Sequence, residues 1–336
     1  MPHRFPVKEI ALQAGVGTAT VDRVLNGRGG VRAGTVARVE KAIAELEAQA
    51  GQLSIAGRRL IVDLLVEAPQ TFIDELGSAL RRELPLMQPA AFRVRADMRT
   101  RFPVPQLSAA LARVERTGSH GVILMAPDAP PLSERIRALE GAGIPVITLA
   151  SDMPGSGRSG YVGLDNGRAG ETAAWIIART RPDTARVLVT IRNPGFRGEG
   201  ERAAGFRVAL ARHLPAAEVL DLTEGTDGPA FLDRLTRAAL SGPPPDALYS
   251  IGGSNRRLLA ALSAAGVTPA LVIGHDLDPD NRALLAEGAL DAVLYHDLAE
   301  DIRTACRIIL ARASRGAMHA PPGGAALRLM LPPMLG

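Results

Sequence analysis

Six basic side chains, Arg4, Lys8, Arg23, Arg28, Arg32 and Arg38, fall in the first thirty-nine residues against only Glu9 and Asp22, so this stretch carries the whole net charge of +4. Cationic groups bunched in this way grip a polyanion, above all the phosphates of a nucleic acid. The other 297 residues balance 33 basic groups against 33 acidic ones. A small cationic head is therefore carried on a large neutral body.

The head has the pattern needed to hold those charges in place. Val7, Ile10, Ala11 and Ala14 recur at helical spacing, and Gly15-Val16-Gly17 interrupts them. Thr18 to Leu25 starts a second helix with its apolar face at Val21, Val24 and Leu25, and Asn26-Gly27 stops it. Two short helices around a tight glycine turn predict a helix-turn-helix. Val36, Val39, Ile43 and Leu46 fit a third helix packed beneath the pair.

Lys8-Glu9-Ile10-Ala11, Ala14-Gly15-Val16, Thr20-Val21, Arg23-Val24-Leu25-Asn26-Gly27 and Val31-Arg32 with Thr35 resemble the DNA-binding module of the lactose-repressor (LacI/GalR) family of bacterial transcription regulators. The resemblance covers about forty residues in unbroken register, against the plainer alternative of a three-helix cap with a solvated basic face. It implies that Thr18, Ala19 and Arg23 read base edges, with Lys8 also facing the DNA. A guanidinium can bond O6 and N7 of guanine together, whereas a threonine or alanine can meet a thymine methyl or simply let the helix approach. Thr20, Asn26 and Arg28 are expected to hold phosphates, which sets register without reading sequence. Asp22 departs from the serine common there in the family, and is expected to point away from phosphate or to orient Arg23.

The resemblance fades over 48–58, expected as a hinge or linker between a head of residues 1–47 and a body of residues 59–336. The family's hinge helix inserts a leucine into the minor groove, and Leu53 or Ile55 could serve as that wedge. A plain flexible linker is the alternative, since Gly51 and Gly57 each weaken a helix by roughly 1 kcal/mol.

From Leu60 onward, apolar runs read as buried strands: 60–66, 121–125, 145–149, 187–191, 247–251 and 270–274. Alanine- and leucine-rich helical stretches lie between them. The alternation predicts an α/β class with parallel sheets covered on both faces, and about 275 residues predicts two similar lobes. Gly143-Ile144-Pro145-Val146, Val162-Gly163-Leu164-Asp165-Asn166, Arg202-Ala203-Ala204-Gly205-Phe206 and Ile273-Gly274-His275-Asp276 resemble the type I periplasmic-binding-protein-like effector domain of the same family, ribose-type members above all. This implies two Rossmann-like lobes, an N-lobe of about 59–162 plus 293–320 and a C-lobe of about 163–292 plus the C-terminal tail. It also implies three crossings and a ligand cleft at the carboxyl ends of the strands.

A polyhydroxylated ligand needs paired donors and acceptors on rigid strand ends, and an apolar or aromatic wall. Asp152, Arg202, Asp276 and His296 follow strands and by resemblance fall near ligand-contacting positions. Arg202 could fork onto vicinal hydroxyls or a carboxylate, with Asp276 accepting from a hydroxyl. Phe72 and Phe196 stand out in a chain with 3% aromatic residues, as ligand wall or as plain core. The asparagine common in sugar-type members is absent, unless Ser250 or Asn255 replaces it, and Ala126 stands where a polar residue is common. Asp165 or Asn166 is expected to cap the helix that follows. Trp175, on an apolar helical stretch, reads as packing.

Enzyme readings fail on context. Gly155 to Gly160 spells G-x-G-x-x-G but is followed by a strand-like segment where a helix is required. Lys8 and Lys41 are the only lysines, so the body has no Walker-A, kinase or Schiff-base lysine, and G-x-S-x-G is absent. The six histidines lack metal-ligand spacing, and Cys306 is single. No cofactor, metal or membrane is expected, and the lack of an apolar leader or a cysteine pair fits the cytoplasm.

The sequence thus predicts a DNA-binding transcriptional regulator, a homodimer or higher oligomer acting as a repressor on double-stranded operator DNA. A small carbohydrate-like effector in the cleft would control it. The alternative is a cytosolic sugar-sensing module without specific DNA binding.

Overall fold

A computed structural model describes residues 3–55, 57–88, 90–225, 228–314 and 323–335, without the side chains of 48–55, 228 and 229. Three helices make the head: α1 (Val7–Ala14), α2 (Thr18–Leu25) and α3 (Ala33–Ile55). Gly15 ends α1 in a left-handed conformation (φ 62°), which lets Val16 N–H turn back to the Ala11 carbonyl at 3.0 Å. Arg38 Nη2 finishes the same end by donating to Ala14 O (3.1 Å) and Gly15 O (2.8 Å). Ile10, Val21 and Val39 are fully buried where the helices meet, each contributing roughly 1.5–3 kcal/mol by leaving water.

One boundary is corrected here. The stretch 48–58, expected as a separate hinge or linker, continues α3 without a break to Ile55. Ala48, Gln49, Ala50, Gln52 and Leu53 are good helix formers and together outweigh the roughly 1 kcal/mol cost of Gly51. Gly57, at φ 75°, then precedes the first strand. Leu53 lies on this last stretch of backbone, and its side chain is outside the described residues.

The first lobe contains β1 (Arg59–Glu67), α4 (Gln70–Glu83), β2 (Ala91–Arg99), α5 (Val104–Thr117), β3 (Gly121–Met125), α6 (Pro130–Gly141), β4 (Val146–Leu149) and β5 (Gly160–Val162). Its sheet is wholly parallel in the order β2-β1-β3-β4-β5. The second lobe contains α7 (Asn166–Thr180), β6 (Arg186–Ile191), α8 (Arg197–His213), β7 (Glu218–Thr223), α9 (Gly228–Ala239), β8 (Ala247–Ser250), α10 (Asn255–Ala264), β9 (Leu271–His275), α11 (Pro279–Ala286) and β10 (Ala292–Tyr295). The chain then crosses back as α12 (Leu298–Ala313) and returns as β11 (Arg328–Met330), which gives the sheet order β11-β10-β9-β8-β6-β7.

The lobe boundary expected at residue 293 moves. Val293 and Leu294 pair with Gly274 and His275, and Tyr295 pairs with Arg328, so β10 belongs wholly to the second sheet. The crossing lies at His296-Asp297. From there Ile302, Ala305 and Ile309 of α12 join Val62, Leu64 and Ile123 in the first lobe's core. Residues 315–320 of that expected segment lie outside the described residues.

The helices α7 and α8 pack backbone to backbone. A Cβ on Gly170 would lie 1.9 Å from Arg202 O, and one on Gly205 would lie 2.2 Å from Gly167 O. Only hydrogen fits at either place, and this close approach sets where Arg202 stands.

Candidate functional site

On the head, Thr18, Ala19 and Arg23 are exposed on one side of α2 while Val21 is wholly buried on the other. Helical spacing puts Arg23 one turn beyond Ala19. Lys8 is exposed on α1, and Thr20 is half-buried. Asp22 does not orient Arg23. It accepts from Asn26 Nδ2 at 2.8 Å and from Arg28 Nη1 at 3.0 Å, because Asn26 lies one turn further along its own stripe and Arg28 folds back from the following loop. Two of the three residues expected on phosphate, Asn26 and Arg28, are therefore held by a carboxylate, while Arg23 makes no hydrogen bond or ion pair among the described residues.

In the body, five of the eight expected effector residues meet between the lobes. Phe72, near the start of α4, and Phe196, the residue before α8, approach the inner part of the cleft from opposite lobes, with Arg202 and Asp276 beside them. Phe72, Asp276 and His296 also line an adjoining compartment of about 240 Å³ toward the crossing. Both phenylalanines come from the first turn or cap of a helix.

Arg202 is largely engaged. Its Nε donates to Asn166 Oδ1 at 2.8 Å and its Nη1 to Ile251 O at 3.2 Å. Asn166 Nδ2 in turn donates to the Tyr161 hydroxyl at 3.2 Å, which lies 2.9 Å from Leu164 O and 3.2 Å from Ala150 O. This chain of bonds runs from the first lobe to the second just behind the cleft.

Asp276 follows β9 with φ 66°, and Ala150 follows β4 with φ 58°. Backbone strain at non-glycine residues is retained where something over-determines it, and here both strained residues face the cleft. His296 Nε2 lies 4.0 Å from Asp276 Oδ1, and its Nδ1 makes a short hydrogen bond with Asp301. Burial works to lower the pKa of His296, but the bond and charge of Asp301, with Asp276, outweigh it and raise the ring above its ordinary value.

Three expected residues do not line these two compartments. Asp152 pairs with Arg158 and accepts from Thr148 Oγ1 at 2.8 Å and Met153 N at 2.7 Å, so its acceptor capacity is used within the first lobe. Burial alone would raise its pKa, but these bonds hold it below the usual carboxylate range. Ser250 is fully buried within β8. Asn255 is buried at the start of α10, where its Nδ2 donates to Asn281 Oδ1 at 2.8 Å. Trp175 is also not packing: it is half-exposed on α7 with Arg179 over its ring at 5.7 Å. Asp165 caps α7 by accepting from Arg168 N at 3.0 Å.

Sequence reasoning missed Glu199, Arg192 and Ser151. Glu199 accepts from Arg192 N (2.8 Å) and Asn193 N (3.0 Å), and its burial pushes its pKa up. The Arg192 guanidinium lies 5.4 Å from the Phe196 ring centre. Ser151 Oγ accepts from Gly198 N at 3.2 Å, a direct bond between lobes. Glu199 sits in a charged run, 197–202, that reads as a solvated helix face, and Arg192 and Ser151 lie outside it. The G-x-G-x-x-G segment leads into β5 and opens no helix. Among the described residues no cluster of potential metal ligands is present and no helix is long and apolar enough to cross a membrane.

A helix-turn-helix head is joined to two lobes around a cleft, their sheets parallel but for β11, which is the class of a DNA-binding domain carried on a periplasmic-binding-protein-like body. Residues 7–47 match the family model described as bacterial regulatory proteins, lacI family, and residues 104–317 match the periplasmic binding protein domain. The chain therefore belongs to the periplasmic binding protein domain family and carries a LacI-family DNA-binding domain at its head.

Among curated proteins, it is 27% identical over 180 residues to the ribose import binding protein of Salmonella typhimurium, and 27% over 181 residues to that of Escherichia coli. Each match covers 52% of this chain and 59% of the relative, so the chain spans under two thirds of these relatives' length. Among solved structures, the Caulobacter myo-inositol binding protein, bound to myo-inositol, superposes with a TM-score of 0.72 at 22% identity, covering 82% of this chain and 94% of that one. A Bacteroides fragilis protein assigned as a LacI transcriptional regulator gives 0.69 at 16% identity, covering 82% and 98%. At these identities the structural likeness carries the fold.

Proposed function

We propose that this regulator is a homodimeric repressor whose operator affinity is set by an uncharged, single-ring polyhydroxylated ligand held in the cleft. The observation that carries the ligand reading is the approach of Phe72 and Phe196 from opposite lobes with Arg202, Asp276 and His296 around them. Aromatic faces suit the C–H faces of a sugar or cyclitol, and Asp276 accepts from a hydroxyl while His296 donates. The ribose and myo-inositol bound by the relatives support that class.

On the head, Arg23 would read a guanine with Thr18 and Ala19 beside it, while Lys8, Thr20, Asn26 and Arg28 meet phosphates. Two heads on a two-fold dimer would occupy a pseudo-palindromic site, with Leu53 near the minor groove between them. Ligand binding would alter the spacing of the heads, and a coupling of typically 1–3 kcal/mol changes operator affinity roughly 5- to 150-fold. The head's DNA-binding role supports a cytoplasmic, non-enzymatic protein with no cofactor.

The test is a thermal-shift screen of pentoses, hexoses, polyols, cyclitols and sugar acids. A single-ring neutral compound should raise the melting temperature, since a ligand bound only to the folded state stabilises it. A response to charged sugar acids alone would overturn the ligand class.

A further inference from the structure

Asp22, Asn26 and Arg28 form a closed cluster on the exposed side of α2 and the loop after it. Asp22 Oδ1 takes the Asn26 amide at 2.8 Å, and Asp22 Oδ2 takes the Arg28 guanidinium at 3.0 Å. The pair is open to water, with Arg28 67% and Asp22 46% exposed, so it adds little to folding. Thr18, Asp22 and Asn26 follow one another at intervals of a turn, on a stripe adjoining that of Ala19 and Arg23. The carboxylate therefore stands beside the base-reading stripe.

A carboxylate that accepts from an amide and a guanidinium together presents the same acceptors to them as a DNA phosphate does. Arg23, by contrast, has no partner among the described residues. The cation suited to reading a base is left open, and the donors suited to the backbone are occupied.

We propose that Asp22 is an internal stand-in for a DNA phosphate, holding Asn26 and Arg28 in bonding geometry and limiting the head's attraction to DNA at large. On binding, a phosphate replaces the carboxylate at Arg28 and Asn26, and the displaced Asp22 stays near the backbone as a like charge. The gain from one cation is thereby largely cancelled. The proposal rests on the head binding DNA, and it deepens that reading by naming the residue that sets its strength.

The test uses the full-length chain, its Asp22→Asn variant, Arg28→Ala, and the double variant Asp22→Asn/Arg28→Ala. Each is titrated by fluorescence anisotropy against generic duplex DNA and against a site obtained by selection from random duplexes, over a salt series. Asp22→Asn should bind generic DNA roughly 3- to 10-fold more tightly at low salt, as expected for removing one like charge beside a phosphate. Its slope of log affinity against log salt should steepen by about 0.9 per head, the contribution of one newly uncompensated cation. The double variant has the wild-type charge and should return to within about twofold of wild type.

Weaker binding by Asp22→Asn would overturn the proposal, as would an unchanged salt slope. Loss of preference at a single C·G pair would overturn it too, because Asp22 would then be reading a cytosine amino group. Wild-type protein that binds no duplex at any salt would instead defeat the DNA-binding reading itself.

Discussion

Arg202 in α8 and Asn166 at the start of α7 share a buried hydrogen bond of 2.8 Å, Nε to Oδ1, and the same guanidinium reaches the carbonyl of Ile251 after β8. One side chain thus ties three second-lobe elements together directly behind the cleft. Removing it leaves an amide oxygen and a carbonyl without their donor, each costing about 1–3 kcal/mol. Arg202→Ala is expected to lower unfolding free energy by about 3 kcal/mol in urea denaturation of the full chain. A loss under about 1 kcal/mol would show that the fork is not a structural tie.

The glycines beneath that fork make a second prediction. Gly205→Ala would place a methyl 2.2 Å from the Gly167 carbonyl oxygen, a backbone atom that cannot move aside alone. The helices must separate, at about 1–3 kcal/mol. Differential scanning calorimetry should show a lower melting temperature for Gly205→Ala, with Gly200→Ala as control because nothing lies within 4 Å of that position.

His296 gives the body a signed pH dependence. Its folded pKa is raised above the ordinary 6.5, because the Asp301 bond outweighs burial. Stability from a raised group is fully present below about pH 6.5 and is lost as pH rises through the raised value. Glu67, Glu199 and Glu224, raised by burial, lose stability with rising pH too, from about pH 4.5 upward. His296→Gln isolates the histidine: the decline in urea midpoint between about pH 6 and about pH 9 should be shallower than in wild type. Parallel declines would show that His296 does not titrate in this window.

Arg23→Ala tests the base-reading assignment. Discrimination at one base pair in each half-site should relax by about 1–3 kcal/mol, measured by competition among single-base variants of a selected site. If affinity falls equally on all sequences, Arg23 is a phosphate contact.

How much of this was legible depends on the kind of signal each residue left. The head was readable because Val7, Ile10 and Ala14, then Val21, Val24 and Leu25, lie at helical spacing and each series is stopped by a glycine turn, local features that survive without tertiary context. The apolar runs of β1, β3, β4, β6, β8 and β9 were readable because both faces of a parallel sheet are covered. The edge strand β2 was not, since Arg93 and Arg95 alternate with Phe92 and Val94, and Arg95 is held there by Asp63, its register partner in β1. The surroundings of Glu199 and Asp152 were not legible, for one reason. Whether a carboxylate faces a cleft or is already taken by backbone N–H groups and an arginine depends on long-range packing, and its neighbours in sequence do not report it. Between the two alternatives for 48–58, helix-forming residues around Gly51 outweigh that glycine, and the backbone is helical to Ile55.

The central claim is that one chain joins sequence-specific DNA binding to a polyhydroxylated ligand in its cleft. Its most direct test is the affinity of the full-length protein for a selected duplex and its scrambled counterpart, measured with and without the compound that gives the largest thermal shift. The account predicts a clear preference for the selected duplex and a ligand-induced weakening of roughly 5- to 150-fold, with the scrambled duplex little affected. Equal affinity for both duplexes, or a selected-site affinity that the ligand leaves unchanged, would contradict it.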